Sequence, residues 1–139
     1  MEYRQFDTLY VVRLNKGEEI CETLLSLLKK ERIPSAAVSG IGATDDVTVG
    51  VYDPEKKAYA EFHYTGPQEI LSLTGNVSEM NGETYLHLHI TCADATGRVT
   101  GGHLLRGRIS LTAEITILPS SGIISRLRDE DLGINLWHF

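Results

Sequence analysis

The dipeptide Asn81-Gly82 most constrains the fold of this chain, because it stands between two runs that alternate apolar and polar residues. Both central residues of a type I′ turn need positive φ, which asparagine and glycine tolerate. A two-residue loop here places Met80 opposite Glu83 in an antiparallel hairpin. The turn therefore predicts two long paired strands and fixes which of their residues face each other.

Counting outward from this turn pairs residues of like polarity. The predicted pairs are Val77–Leu86, Asn76–His87, Thr74–His89 and Leu73–Ile90. Side chains alternate between the two faces of a strand, so one face is predicted to be polar and the other apolar. The polar face comprises Ser72, Thr74, Asn76, His87 and His89, and the apolar face comprises Leu71, Leu73, Leu88 and Ile90. The histidines are thus predicted to point away from the core.

Three of the five histidines, His87, His89 and His103, lie in this part of the chain and indicate a metal site. Side chains two apart on a strand share a face, so the first two imidazoles can converge on one ion. Gly101 and Gly102 precede the third histidine, and we expect them to turn the backbone so that its ring joins the others. Three imidazoles suit zinc, nickel, copper or iron and leave a position for water or a small ligand. The alternative is a set of strand histidines that only form hydrogen bonds.

The rest of the chain predicts a sheet covered by one helix. A helix from Glu18 to Arg32 follows from apolar residues on one side, at Ile20, Cys21, Leu24, Leu25, Leu27 and Leu28. Asn15 is its predicted N-cap, and Pro34 ends the pattern. Extended segments are predicted before and after the helix. In the last clear one, apolar residues alternate with polar ones, at Ile109, Leu111, Ile115 and Ile117.

Charge and length limit the function. The net charge is -6 and the basic residues are scattered, so the sequence offers no positive stripe for nucleic acid. No apolar run approaches the length of a membrane span and no secretory signal is visible, so we expect a cytoplasmic protein without a membrane partner. A length of 139 residues predicts one domain, 1–139. Serine, threonine and asparagine on the polar sheet face are typical of a surface that is either solvated or covered by another subunit.

Several ordered blocks of the sequence resemble one known family. They read G-I-G-A-T, V-G-V-Y-D, Q-E-I-L-S-L-T-G-N-V-S, H-L-H-I and G-R-V-T-G-G-H-L, and the tail reads S-R-L-R-D-E-D-L-G-I-N-L. Over nearly its whole length the chain is similar to the PPC domain, the plant and prokaryote conserved domain, in its stand-alone prokaryotic type. This resemblance implies an α+β fold, a mainly antiparallel β-sheet with a helix packed on one face, assembled as a homotrimer.

The resemblance also implies functional residues. In prokaryotic members the three histidines look like a zinc site, and the matching positions here are His87, His89 and His103. Glu69 occupies an acidic position in the block Q-E-I-L, where a carboxylate could orient water. The hairpin register places Glu69 on the apolar face, so it reaches the ion only through a bulge or a strand end. Thr74 and Asn76, opposite the histidines, are candidates for hydrogen bonds to a ligand or a ring nitrogen.

Three function classes remain open at this point. The first is a homotrimeric metal-binding protein, with zinc as cofactor, that holds water or a small-molecule ligand. The second is a DNA-binding or DNA-associated regulator that acts on DNA or through a regulatory protein, since plant members carry the domain after AT-hooks. The third is a structural oligomerisation module. No nucleophile or substrate is specified, so the sequence leaves open whether the protein is an enzyme.

Overall fold

Eight strands and one helix follow one another along the chain. They are β1 (Glu2–Phe6), β2 (Leu9–Asn15), α1 (Ile20–Glu31), β3 (Ala36–Asp53), β4 (Ala58–Met80), β5 (Glu83–Asp94), β6 (Val99–Pro119), β7 (Ser125–Asp129) and β8 (Ile134–His138). This computed structural model describes residues 1–139. All strand pairs are antiparallel except one bridge between β4 and β7. The predicted antiparallel sheet with a single helix is confirmed, and no helix is long and apolar enough to cross a membrane.

The four longest strands form a closed ring of pairings. β3 pairs with β4 and β6, and β5 also pairs with β4 on one side and with β6 on the other. The hairpin of β1 and β2 extends the sheet beyond β6, and the hairpin of β7 and β8 joins it at β4. The ring matters for function because it brings β5 and β6, which are also consecutive in the chain, into direct register.

The hairpin predicted at Asn81-Gly82 is confirmed in its turn and in its register. Both residues have positive φ, 54° for Asn81 and 79° for Gly82. All four predicted pairs are present, from Val77–Leu86 to Leu73–Ile90. The prediction for Leu71 is wrong: its side chain is 49% exposed, because a bulge between Ile70 and Ser72 shifts the register there. Beyond that bulge the even-numbered residues of β4 face the core.

Helix α1 is confirmed, although its N-cap is different from the predicted one. Asn15 belongs to β2, and the helix is capped by Glu19, whose Oε2 accepts a hydrogen bond from the backbone N–H of Glu22. The other carboxylate oxygen of Glu19 accepts one from the N–H of Gly107, which ties the helix start to β6. The helix buries Ile20, Leu24, Leu27 and Leu28 completely. Each such side chain contributes about 1.5–3 kcal/mol through removal of apolar surface from water.

The alternation predicted along β6 fails at Leu111, which is 69% exposed. Between Ile109 and Ala113, β6 has four steps where β3 has only two, from Thr44 to Gly42. The extra residues bulge out of the ladder and turn Leu111 away from the core. Such a bulge depends on the partner strand, so the alternation of the sequence alone does not reveal it.

Candidate metal centre and its pocket

The three histidines converge on one face of the sheet. His89 and His103 lie directly opposite each other on β5 and β6, and His87 lies two residues before His89 on the same face. The ring centroids are 5.2 Å apart for His87 and His89, 4.9 Å for His87 and His103, and 5.5 Å for His89 and His103. The predicted convergence is therefore present, and it follows from strand register.

The residues that turn the chain toward His103 differ from the predicted ones. The connection between β5 and β6 turns at Asp94, whose Oδ1 accepts hydrogen bonds from the N–H groups of Thr96 and Arg98. Gly101 and Gly102 lie within the extended strand β6 and allow close approach of neighbouring backbones. A methyl group on Gly101 would overlap the carbonyl oxygen of Ile90. The glycines therefore bring β6 close to its neighbours.

The geometry of the histidine cluster fits a metal ion. One ring nitrogen from each histidine lies within 4.8 Å of the other two. A tetrahedral ion with metal–nitrogen bonds of about 2.1 Å holds its nitrogens about 3.4 Å apart, so small side-chain rotations bring the three into coordination. Nδ1 of His103 is buried and has no hydrogen-bond partner. Such an unpartnered nitrogen has no competing hydrogen bond and is available to an ion or a ligand.

The surroundings keep two of the rings neutral. The pKa of His87 is lowered to about 4, chiefly by burial and to a smaller extent by His103, Arg126 and His89. Burial also lowers the pKa of His103, with a smaller contribution from His89. A metal ion binds the neutral form of imidazole, so protons compete weakly for these rings near neutral pH.

The histidines line a cavity of about 530 Å³. Its other walls consist of aromatic, basic, amide and aliphatic side chains and one glycine. These residues are Tyr52, Tyr59, Asn76, Tyr85, Arg126, Arg128, Gly133, Ile134, Asn135, Leu136 and Trp137. The ring of Tyr59 stacks on the ring of His103 at 5.0 Å and so restrains it. The hairpin of β7 and β8 supplies one side of this cavity.

Arg126 on β7 fixes this hairpin against the sheet, a role that no motif in the sequence predicts. Its Nε donates to Ser78 Oγ at 2.7 Å, its Nη1 to the carbonyl of Asn135 at 2.7 Å and its Nη2 to Asn76 Oδ1 at 2.9 Å. Its Nη2 also lies 3.4 Å from Nδ1 of His87. A guanidinium carries donors only, so this last contact requires a lone pair on the ring nitrogen and therefore a neutral ring.

The sequence matches a known family over most of its length. The family model of the Plants and Prokaryotes Conserved (PCC) domain matches residues 1–121. This chain belongs to the PCC domain family. The family predicted from the sequence blocks under the name PPC is thereby confirmed.

Solved structures similar to this PCC domain agree with its fold. A protein from Bacteroides thetaiotaomicron that is proposed to bind DNA is 36% identical, covers 99% of this chain and 96% of its own, and has a TM-score of 0.96. A metal-containing protein from Archaeoglobus fulgidus is 34% identical, with full coverage of both chains and a TM-score of 0.89. A plant- and prokaryote-conserved protein from Pyrococcus horikoshii is 32% identical, covers 99% of this chain and 94% of its own, and has a TM-score of 0.88.

Curated relatives of this PCC domain are much longer proteins. Bifunctional protein GlmU from a Synechococcus strain is 31% identical over 114 residues, which make up 81% of this chain. The matched region is 17% of that relative. The chain thus spans about a sixth of the length of the curated relatives it matches.

The three further candidates from the sequence lie at different distances from the histidines. Asn76 pairs with His87, lines the cavity and accepts a hydrogen bond from Arg126. Thr74 pairs with His89 but does not line the cavity. Glu69 pairs with Ala93 near the far end of β5 and lines a separate cleft. The structure therefore places Asn76 in the cavity wall, Thr74 next to His89 but outside the cavity, and Glu69 away from both.

Proposed function

We propose that this PCC domain is a homotrimeric metal-binding protein in which His87, His89 and His103 hold a zinc ion. Water or a small ligand occupies the coordination position that the protein leaves open. The convergence of three imidazoles on the wall of a cavity carries this proposal. The description of the relative from Archaeoglobus fulgidus as metal-containing supports it.

The residues around the histidines would prepare them for an ion. A zinc ion with three protein ligands supplies Lewis acidity to an oxygen atom at its fourth position. The chain itself keeps His87 neutral by burial, restrains His103 through the stacked ring of Tyr59, and positions Asn76 through Arg126. These contacts hold the ligands in a fixed arrangement before the ion binds, which favours affinity.

The metal content of untagged protein tests the proposal. We expect about one zinc ion per chain in the wild type, since three imidazoles and one open position form a single site. The double variant His87→Ala, His89→Ala should retain less than about a tenth of that content, because one imidazole alone binds zinc weakly. Elemental mass spectrometry measures both. His63→Ala is the matched control, because His63 lies on β4, forms a hydrogen bond with Asp46 and is not part of the histidine cluster. Absence of stoichiometric metal after growth with added zinc would contradict the proposal.

An exposed apolar cluster supports the proposed trimer. Ile41, Leu71 and Leu111 are each about half exposed or more and line one cleft of about 490 Å³. The two bulges described above turn Leu71 and Leu111 outward into this cleft. Contiguous exposed apolar side chains mark surfaces that other protein chains cover. We assign this cluster to the contact between copies of the chain.

A charge in this cluster should dissociate the trimer. In Leu111→Glu a carboxylate would have to be buried at each contact, so we expect the native mass to fall from three chains to one at low micromolar concentration. Phe6→Glu is the control, because Phe6 is also exposed but lies at the end of β1, away from this cluster. If the Leu111→Glu variant remains trimeric, the contact between chains does not involve this apolar cluster. The zinc-free double variant His87→Ala, His89→Ala gives a second test. If it remains trimeric, assembly does not depend on the metal. If it dissociates, the metal has a structural role in an oligomerisation module.

Direct DNA binding is the second candidate function, because the relative from Bacteroides thetaiotaomicron is proposed to bind DNA. The charges of this chain oppose it. Arg106 and Arg108 on β6 are paired with Asp46 and Asp45, at 3.6 Å and 3.0 Å, and the net charge is -6. Binding through phosphate contacts would require affinity to fall steeply between 50 and 200 mM salt, roughly 10³-fold or more for six or more contacts. Fluorescence anisotropy with duplex DNA at both salt concentrations decides this.

A further inference from the structure

Arg126 is a buried cation without an acidic partner. Its side chain is 6% exposed, and its hydrogen bonds go to a hydroxyl, an amide oxygen, a backbone carbonyl and a neutral ring nitrogen. No carboxylate lies within 4.0 Å of its guanidinium. Buried charges in proteins are normally paired, because an uncompensated charge destabilises the fold. The charge of Arg126 is therefore available to an anion that enters the cavity.

The cavity beside Arg126 is positively charged as a whole. Two arginines, Arg126 and Arg128, line it, and neither aspartate nor glutamate does. This distribution is opposite to that of the chain, which has 19 acidic and 13 basic residues. Arg128 is half exposed, and its nearest carboxylate, on Glu130, is 83% exposed and lies outside the cavity lining. A negatively charged ligand would find two cations there and no acidic group to repel it.

The remaining lining selects an organic anion over a bare inorganic one. Tyr59, Tyr85 and Trp137 present aromatic walls, and the guanidinium carbon of Arg126 lies 4.7 Å from the ring centre of Tyr85 and 5.9 Å from that of Trp137. Oδ1 of Asn135 is buried and has no hydrogen-bond partner. A flat apolar body fits such walls, and a donor group on the ligand would satisfy the amide oxygen.

We propose that this pocket binds a small organic carboxylate, whose carboxylate group lies against Arg126 and Arg128 while its apolar body packs against Tyr85 and Trp137. The inference rests on the proposed function in one respect, because it assumes that the three histidines in the same cavity bind the metal ion. It adds the class of ligand and the residues that recognise it. Arg126 and Arg128 act as the counter-ions of the ligand.

Fluorescence of Trp137, the only tryptophan of the chain, reports ligand binding directly. Benzoate and benzamide are matched probes, because they have nearly the same shape and differ in charge. Benzamide also carries N–H donors that could reach Asn135 Oδ1, so a preference for benzoate must come from its charge. We expect benzoate to bind at least tenfold more tightly than benzamide to zinc-loaded protein. Inorganic phosphate should bind at least tenfold more weakly than benzoate, since it cannot use the aromatic walls. Equal affinity for benzoate and benzamide would overturn the inference, and phosphate equal to benzoate would overturn the organic class of the ligand.

Two variants test which residues recognise the carboxylate. Arg128→Gln should weaken benzoate at least fivefold and leave benzamide unchanged, whereas the control Arg4→Gln removes an exposed arginine of β1 outside the cavity and should change neither. Arg126→Gln keeps a hydrogen-bonding side chain and should abolish the preference for benzoate, with circular dichroism verifying the fold. Unchanged preference in both cavity variants would overturn the assignment.

A parallel titration of chelator-treated protein separates this inference from the proposed function. Protein that binds zinc through the histidines but does not discriminate between benzoate and benzamide retains the metal function and overturns the carboxylate inference. Protein that takes up no zinc even when supplied with it, but still prefers benzoate, supports recognition by the arginines and overturns the metal function alone.

Discussion

Gly75→Ala is expected to disrupt both the central hairpin and the metal centre. Gly75 pairs with Leu88 on β5, and a methyl group at this position would overlap the backbone carbonyl oxygen of His87. Backbone cannot rotate away as a flexible side chain can, so the strands must separate. We expect a loss of about 4 kcal/mol in the free energy of unfolding, which is at the severe end for single substitutions.

The same substitution should remove zinc, because the displaced carbonyl belongs to one of the three histidines. Denaturant unfolding and elemental mass spectrometry measure the two effects on one preparation. Gly122→Ala is the control, since a methyl group there has nothing within 4 Å and its backbone has no positive φ. That change should alter stability by less than about 1 kcal/mol. A Gly75→Ala protein with normal stability and a full complement of zinc would refute the predicted role of this close approach.

Arg126→Ala should detach the C-terminal hairpin while the rest of the fold remains. The substitution leaves Ser78, Asn76 and the carbonyl of Asn135 without the donor that joins them. Apart from this side chain, β7 meets β4 through a single bridged residue pair, Glu79 and Ser125, and a neighbouring backbone hydrogen bond from Glu79 to Ile124. Loss of several charged hydrogen bonds with buried partners costs about 3 kcal/mol.

Hydrogen exchange followed by mass spectrometry locates this loss. Amide exchange should accelerate by roughly two orders of magnitude in β7 and β8, as expected for a local change of about 3 kcal/mol, and stay unchanged in α1. Arg128→Ala is the matched control, two residues further along β7, because its only ion pair is with an exposed glutamate. That control should cost less than about 0.5 kcal/mol. Uniform acceleration across the whole chain, or none, would argue against a separable hairpin.

The local chemistry of a few residues was enough to predict the middle of the fold. Asn81-Gly82 has one favoured turn geometry, and that geometry fixes the pairing of residues up to Leu73 and Ile90. The shared face of His87 and His89 follows from the period of a strand. These features depend on residues close together in the chain, which is why the sequence reveals them.

Features that depend on distant partners were missed or mistaken. The exposure of Leu71 and Leu111 comes from bulges, which arise where two strands of different length run between the same pairs. Arg126 forms hydrogen bonds with Ser78 and Asn76, which are 48 and 50 residues earlier in the chain. No local sequence pattern can therefore predict that it attaches the hairpin to the sheet. The placement of Arg126 and Arg128 on either side of Leu127 in the tail was the only local signal. The predicted register also put Glu69 on the apolar face, whereas Glu69 is exposed because it lies just beyond the same bulge.

The cavity is built from two parts of the chain, one inside and one outside the range that the family model matches. The three histidines fall within residues 1–121, the part that defines the family, whereas Arg126, Asn135 and Trp137 come after it. The match to the family model therefore covers the ion-binding side of the cavity and stops before the opposite wall. Two members with the same imidazoles and different last strands would offer an ion the same ligands and admit different molecules beside it. A substrate identified for one member could then not be assigned to another from overall sequence similarity alone. The final 18 residues would have to be compared first.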